Sequence, residues 1–225
     1  MAQALDCPAI GFAGYRRRHD SLPEIALEGL DRTGRPDLVV LKSHQPIGDF
    51  ERLDRSRIKL VSIVRDPRDI LVSGMHYFFK GKPDADKKML RRMQGSLGFR
   101  SWQQYVDEFQ ASSCPIVRYE DLLLNTEKEL ARLLTRAGLD FCLRQLKTAV
   151  HDQSFEVARS RYRKTGELHK LNHARSGTIG GHRHALSVEM IERVNREMSA
   201  SMSRLGYASA ASNILDTRTV LRTAT

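Results

Sequence analysis

A short apolar run that passes directly into a helix start limits what this chain can fold into. Residues 58–64 are rich in β-branched and apolar side chains, which predicts a short buried strand. Asp66 can then act as an N-cap with Pro67 in the first helical position, and apolar residues follow at roughly helical spacing. Arg65 therefore lies where a parallel strand passes into a helix.

Other segments continue this alternation of strands and helices. Residues 37–42 and 114–119 are also predicted to be strands, because short apolar runs there lie next to prolines. Residues 80–98 favour a loop or a short helix, and residues 164–186 favour a basic loop. The alternation predicts an α/β fold with a mostly parallel sheet flanked by helices. Amphipathic spacing and capping residues predict further helices at 102–109, 125–137, 142–150, 153–163 and 188–205.

Length and composition bound the architecture. The 225 residues predict a single domain over residues 1–207, and the Ala/Ser/Thr-rich residues 208–225 are predicted to form a disordered tail. No apolar run approaches the roughly 20 residues that span a bilayer, and no signal sequence is visible, so we expect no membrane association and a cytoplasmic location. Cys7, Cys114 and Cys142 are odd in number and scattered, which argues against a disulfide framework.

The charge of the chain indicates an anionic partner. The net charge is +10, and 27 arginines far outnumber 10 lysines. Arginine binds phosphate and sulfate through paired hydrogen bonds. Residues 159–184 hold seven basic residues against one acidic residue, a net charge of +6. A solvated surface is an alternative explanation, and nucleic-acid binding is a second, although no helix-turn-helix, zinc finger or RNA-binding signature is visible.

A metal site is a further alternative, because four histidines lie close together in the basic loop. The first two have the i, i+4 spacing that suits zinc on a helix. Glycines at 177, 180 and 181 argue against a rigid cage, so we expect no metal. The histidines are His169, His173, His182 and His184.

Polar residues fall at the predicted strand ends, where parallel sheets bind their ligands. His44 follows the strand predicted at 37–42, and Arg65 follows the strand predicted at 58–64. Tyr119 lies in the strand predicted at 114–119. The helix start after Arg65 offers backbone N–H groups, and the Ser73 hydroxyl completes a set that suits a phosphate. A surface network of arginine and aspartate is the alternative interpretation of this segment.

Two other segments carry chemistry. His44 can act as a general base near neutral pH, and Lys42, two residues earlier, points to the same side of the chain. A purely structural histidine is the alternative. The loop Arg175-Ser176-Gly177 can wrap a phosphate with backbone amides and one guanidinium, and an ordinary disordered loop is the alternative.

Together these segments resemble the sulfotransferase family that uses 3′-phosphoadenosine 5′-phosphosulfate as donor. The resemblance covers residues 38–207 and implies a P-loop-like sulfotransferase fold. It also implies transfer of a sulfonate group to a hydroxyl or amine of a small-molecule or glycan acceptor. Five segments in order carry it: Lys42-Ser43-His44, Arg65-Asp66-Pro67-Arg68-Asp69 with Ser73, Arg-Tyr-Glu-Asp-Leu at 118–122, Ser154-Phe155-Glu156, and Arg175-Ser176-Gly177.

The resemblance assigns the phosphate contacts. Arg65 and Ser73 would hold the 3′-phosphate of the donor. Arg175, Ser176 and the backbone near Gly177 would join them from the late basic loop.

The resemblance also assigns the remaining roles. Tyr119 and Phe155 would contact the adenine ring. His44 would take the proton from the acceptor hydroxyl, and Lys42 would stabilise charge near the sulfonate. In such a transfer, positioning and electrostatics are the main sources of catalysis.

One family segment has no counterpart here. The family has an N-terminal Pro-Lys-Ser-Gly-Thr-Thr-type loop that cradles the 5′-phosphosulfate, whereas residues 11–16 have neither the Lys-Ser-Gly nor the paired threonines. We therefore expect the chain to begin downstream of that loop, which would also remove a central strand. A truncated or degenerate member that binds the nucleotide without turnover is an alternative function.

A last segment resembles the family's short dimer motif. Arg183, Ser187-Val188 and Glu192 reproduce its spacing with milder residues. This predicts a homodimer through residues 183–192, and a plain helix cap at Ser187 is the alternative.

Overall fold

A computed structural model describes residues 1–7, 9–11, 38, 40–42, 47, 58–96, 100–166 and 178–207. The chain divides into two compact units. The first unit comprises residues 1–61 and 121–177, and the second unit comprises residues 62–120 and 178–225. None of the helices within the described ranges is long and apolar enough to cross a membrane.

The first unit contains a pair of parallel strands and a set of packed helices. Strands β1 (Ala9–Gly11) and β2 (Val40–Lys42) pair in parallel, with Gly11 opposite Lys42. Leu134 and Leu146 are fully buried at the centre of its apolar core. The helices are α1 (Ala2–Leu5), α6 (Thr126–Arg136), α7 (Leu143–Asp152) and α8 (Phe155–Lys164), and α1 packs against α7.

The second unit is built on another parallel pair. Strands β3 (Ser62–Val64) and β4 (Ile116–Arg118) lie side by side, with Val64 opposite Arg118. The helices of this unit are α2 (Pro67–Phe78), α3 (Ala85–Met93), α4 (Trp102–Ala111), α9 (His182–Ala185), α10 (Val188–Glu197) and α11 (Ser199–Arg204). Helix α5 (Tyr119–Leu124) begins directly after β4.

The core of the second unit is rich in methionine. Leu71, Leu90 and Val194 lie at its centre, surrounded by five buried methionines. Helices α2 and α3 approach closely at Gly74, where an added Cβ would lie 2.3 Å from the Sδ atom of Met89. Glycine at this position allows the close packing that brings α3 against α2. The methionines are Met89, Met93, Met190, Met198 and Met202.

The parallel strands and the helices around them confirm the predicted α/β fold. The predicted helix start at Asp66 and Pro67 is also confirmed, because Asp66 caps α2 and Pro67 is its first residue. The helix predicted at 102–109 is confirmed as α4, and Ser101 and Gln104 form a complete capping box at its start.

Several boundaries differ from the sequence-based expectation. The strand predicted over residues 114–119 ends at Arg118, and Tyr119 is already helical. The helix predicted over residues 188–205 is two helices, because the backbone of the buried Met198 leaves the helical conformation (φ −117°, ψ 15°). The basic loop includes a short helix, α9, and strand β1, which pairs beside β2, has no counterpart among the predicted elements.

Candidate functional site

At the start of α2, the polar groups bind one another. The Asp66 carboxylate accepts a hydrogen bond from the backbone N–H of Arg68 (2.9 Å) and forms a buried ion pair with the Arg68 guanidinium (2.6 Å). Arg68 also donates from Nη1 to Oδ1 of Asn195 (3.1 Å). Pro67 has no N–H. The expectation that the first N–H groups of this helix face a phosphate is therefore wrong for Pro67 and Arg68.

Arg65 lies outside that network of Asp66 and Arg68. It follows β3 directly, and its Nη2 atom donates to the carbonyl oxygen of Thr178 (3.3 Å). Its guanidinium carbon lies 4.6 Å from the ring centre of Tyr119, in a cation–π arrangement. The Nε atom of Arg65 is buried and has no hydrogen-bond partner within the described part of the chain.

An unsatisfied buried donor on a permanently charged group is costly. A phosphate or sulfate oxygen is the acceptor that suits a guanidinium best, because its charge and its geometry both match the fork of N–H groups. The environment of Arg65 can therefore receive an anion, with the guanidinium plane already fixed by Thr178 and Tyr119.

Asp69 anchors the segment that carries Thr178. Its carboxylate accepts hydrogen bonds from the backbone N–H of Gly180 (2.8 Å), the backbone N–H of His182 (2.9 Å) and Nδ1 of His182 (2.8 Å). Burial alone would raise the pKa of the Asp69 carboxyl, but the hydrogen bonds from His182 and Gly180 outweigh it and lower that pKa. An ionised carboxylate only accepts hydrogen bonds, so Nδ1 of His182 carries the proton.

Glu120 supports the same region from the first turn of α5. Its Oε1 atom accepts a hydrogen bond from the backbone N–H of Asp66 (2.9 Å), and its Oε2 atom accepts one from the hydroxyl of Tyr207 (2.8 Å). Burial and the charge of Glu120 raise the pKa of Tyr207, so the hydroxyl remains a donor. The guanidinium of Arg118 covers the Tyr207 ring at 5.1 Å and donates to the Gly206 carbonyl oxygen (3.0 Å).

These supporting residues were not predicted as part of the site. Asp69 and Glu120 belong to the segments that carry the family resemblance, but their partners His182 and Tyr207 are 113 and 87 residues away along the chain. Their burial was the missing information, because a buried carboxylate requires hydrogen-bond donors. The predicted surface network of arginine and aspartate exists as the pair of Arg68 and Asp66, and this pair is buried.

Of the predicted site residues, the structure brings Arg65 and Tyr119 into contact. Ser73 is exposed on α2, two turns after the helix start. Lys42 is the last residue of β2 and is exposed, and Phe155 is the first residue of α8; both belong to the first unit. The other predicted residues lie outside the described ranges: His44, Arg175, Ser176 and Gly177.

The four histidines of the basic loop are only partly described. His169 and His173 lie outside the described ranges, and His182 uses its Nδ1 atom to bind Asp69. Within the described residues, no group of three or more His, Cys, Asp or Glu side chains could hold a metal ion.

Comparisons with known proteins agree with the resemblance found in the sequence. A family model described as "Sulfotransferase domain" matches residues 21–206. Among similar curated proteins, Sulfotransferase 1A1 of Rattus norvegicus is 26% identical over 196 residues, covering 79% of this chain and 66% of the rat protein. The 3-alpha-hydroxysteroid sulfotransferase of Cavia porcellus is 26% identical over 198 residues, covering 77% of this chain and 66% of that protein.

Solved structures show the same fold. Mouse sulfotransferase SULT7A1 complexed with PAP superposes with a TM-score of 0.59 at 16% identity, covering 73% of this chain and 65% of that chain. Retinol dehydratase in complex with androsterone and inactive cofactor PAP superposes with a TM-score of 0.56 at 20% identity, covering 73% of this chain and 53% of that chain. The chain thus spans slightly less than two thirds of the length of the two curated relatives and of SULT7A1, and about half of the length of retinol dehydratase.

Proposed function

This chain belongs to the sulfotransferase domain family, and we propose that it binds 3′-phosphoadenosine 5′-phosphosulfate and transfers the sulfonate group to a small-molecule or glycan acceptor. The observation that carries the proposal is the environment of Arg65. Its guanidinium is fixed by Thr178 and Tyr119, and its buried Nε atom has no partner within the described residues. A bound phosphate supplies the acceptor that this atom lacks.

The residues around Arg65 fit the 3′-phosphate of the donor. Asp66 and Asp69, the nearest acidic residues in sequence, are engaged by Arg68 and by the segment of residues 180–182, so their charges are compensated within the protein. The Ser73 hydroxyl is exposed on α2 and would add a neutral donor, as the family resemblance implies. Arg175, Ser176 and the backbone at Gly177 would complete the contacts, as the family resemblance implies.

The remaining roles also follow the resemblance. When bound, the donor supplies the activated sulfonate group. His44 would accept the proton of the acceptor hydroxyl, Lys42 would stabilise negative charge near the sulfonate, and Phe155 would join Tyr119 against the adenine ring. Lys42 is exposed at the carboxyl end of β2, where ligands of parallel strands bind.

Calorimetric titration with 3′,5′-adenosine bisphosphate tests the nucleotide site, with 5′-AMP as the control that lacks the 3′-phosphate. Arg65→Ala removes a charge-assisted contact worth about 1.5–3 kcal/mol, so affinity should fall about tenfold or more. Arg136→Ala removes the same charge from an exposed position on α6 and should leave affinity unchanged. Equal affinity of wild type and Arg65→Ala would contradict the assignment.

A turnover assay separates the two possible states of the site. The chain is incubated with the sulfonate donor and a panel of hydroxylated and amine acceptors that includes steroids, since a relative is named a hydroxysteroid sulfotransferase. Sulfonated product supports a complete enzyme. Nucleotide binding without product would instead support a degenerate member that binds without transfer. Binding to DNA that falls steeply with salt and ignores 3′,5′-adenosine bisphosphate would favour a nucleic-acid-binding protein.

We also propose a homodimer through the segment of residues 183–192. Val188 is 66% exposed on the first turn of α10, and Arg183 and Glu192 are exposed as well, so they remain available for a partner. Ser187 caps the helix by accepting from the N–H of Met190 (3.2 Å), a role compatible with either interpretation. Sedimentation should give a dimer for the wild type.

Two variants test the dimer. Val188→Glu should give a monomer, because a charged side chain would be buried in the interface without a partner. Leu124→Glu is the control, since Leu124 is a similarly exposed apolar residue outside this segment, and it should remain dimeric. A monomeric wild type, or a dimeric Val188→Glu variant, would contradict the proposal.

A further inference from the structure

The Asp69 carboxylate is committed to a single distant segment of the chain. Asp69 is only 3% exposed, and it accepts hydrogen bonds from Gly180 and His182, which lie more than a hundred residues later in the chain. The Oδ2 atom accepts from Gly180, and the Oδ1 atom accepts from both the backbone and the ring of His182. One carboxylate therefore accepts from two backbone N–H groups and one side chain of this segment.

The same segment reaches Arg65. Thr178 lies two residues before Gly180, and its carbonyl oxygen accepts the hydrogen bond from Nη2 of Arg65. Gly180 adopts φ +73°, a conformation that favours glycine, so the backbone turns sharply between Thr178 and His182. Arg65 and Asp69 therefore hold residues 178–182 from the two ends of one strand-to-helix junction.

From this geometry we propose that Asp69 is a positioning residue for recognition of the 3′-phosphate. It fixes residues 178–182, which hold the Arg65 guanidinium in the orientation that receives the phosphate. This inference rests on the proposed function, because it assigns Asp69 a role in the same anion site. Asp69 itself acts through the segment and through Arg65, and it does not contact the ligand.

Asp69→Asn is the sharpest perturbation. An asparagine amide has one acceptor oxygen in place of two, so it can serve His182 or Gly180 but presents an N–H to the other. We expect affinity for 3′,5′-adenosine bisphosphate to fall about tenfold, while affinity for 5′-AMP changes less than about twofold. A purely structural role would lower both affinities alike. Asp140→Asn removes a carboxylate from an exposed position and is the matched control.

Hydrogen exchange of the ligand-free chain tests the anchor independently of binding. The amides of Gly180 and His182 should exchange faster in Asp69→Asn than in the wild type, because their acceptor is weakened. His182→Ala keeps both backbone donors and removes only the ring donor, so it should lower 3′-phosphate discrimination by a smaller, few-fold factor. This variant carries the test if Asp69→Asn does not fold.

The outcomes are distinguishable. Loss of 3′-phosphate discrimination with faster exchange at Gly180 and His182 supports the proposal. Wild-type binding with unchanged discrimination in Asp69→Asn, or in His182→Ala where the first does not fold, would overturn this inference alone. No binding of 3′,5′-adenosine bisphosphate by the wild type would overturn the proposed function, and this inference with it.

Discussion

The hydrogen bonds of Glu120 allow a quantitative test of how the junction at Arg65 is held in place. Glu120 is 5% exposed, and its two carboxylate oxygens accept from the Asp66 N–H and from the Tyr207 hydroxyl. The backbone position of Asp66 fixes the residue before it, so this contact supports Arg65. The perturbations are Glu120→Gln, Tyr207→Phe and the double variant.

The magnitudes follow from the charge of the acceptor. Tyr207→Phe removes a hydrogen bond to a buried carboxylate, which is worth about 1.5–3 kcal/mol. Glu120→Gln keeps an acceptor for the Asp66 N–H and turns its amide toward the Tyr207 oxygen. It replaces a charged by a neutral hydrogen bond, at a cost of about 1 kcal/mol. Both variants weaken the same hydrogen bond, the one between Tyr207 and Glu120. The double variant should therefore cost about 0.5–2 kcal/mol less than the sum of the single variants.

Urea unfolding at neutral pH measures these free energies of unfolding. If the free energy changes with urea concentration at the same rate in every variant, the surface exposed on unfolding is unchanged. Thr135→Val is the control, because Thr135 is exposed and loss of its hydroxyl should change stability by less than about 0.5 kcal/mol. Additive effects of Glu120→Gln and Tyr207→Phe would refute the reasoning, since the two side chains would then not share an interaction. A stability loss for Thr135→Val as large as that for Tyr207→Phe would refute it as well.

Three further predictions concern stability. Leu146→Ala should destabilise the chain by about 2–5 kcal/mol, because Leu146 is fully buried. Leu143→Ala on the same helix should have little effect, since Leu143 is 57% exposed, and chemical unfolding distinguishes the two variants. Ser101→Ala should cost about 1 kcal/mol by the same assay, because it removes the capping box of α4. The lowered pKa of Asp69 means that its ionised carboxylate stabilises the fold above about pH 4, and this contribution is lost as the pH falls through the folded pKa. Thermal unfolding at decreasing pH should therefore show a shallower acid limb for Asp69→Asn than for the wild type, and parallel acid limbs would contradict the assignment.

Local signals in the sequence predicted the features that neighbouring residues determine. The run before Arg65 forms a strand, and Asp66 with Pro67 begins a helix, because both depend on residues within one turn of each other. Strand β1 was not predicted, since three residues are too few to show a pattern and its parallel pairing depends on a partner 31 positions away. The break at Met198 was also missed, because apolar spacing continues through it while the backbone does not.

The contacts that define the candidate site depend on tertiary structure. The resemblance identified Arg65 and Tyr119, and the structure places the guanidinium of one over the ring of the other. The partners of Asp69 and Glu120 could not be predicted, because a carboxylate has no sequence pattern that names a donor a hundred residues away. Only folding shows which carboxylates are buried and must be satisfied.

The charges of the Arg65–Asp69 segment explain why such an arrangement can attract an anion. The segment contains two arginines and two aspartates, so its formal charge is zero. The Asp66 carboxylate is paired with Arg68, and the Asp69 carboxylate is surrounded by donors from residues 180–182. Coulomb interactions weaken with distance, and a paired charge has a weaker field than an isolated one. An anion near Arg65 therefore meets a guanidinium that no acidic side chain of the described residues pairs with, before it meets either carboxylate. Replacing Arg68 would release the charge of Asp66 next to Arg65 and should therefore weaken anion binding without touching the anion itself.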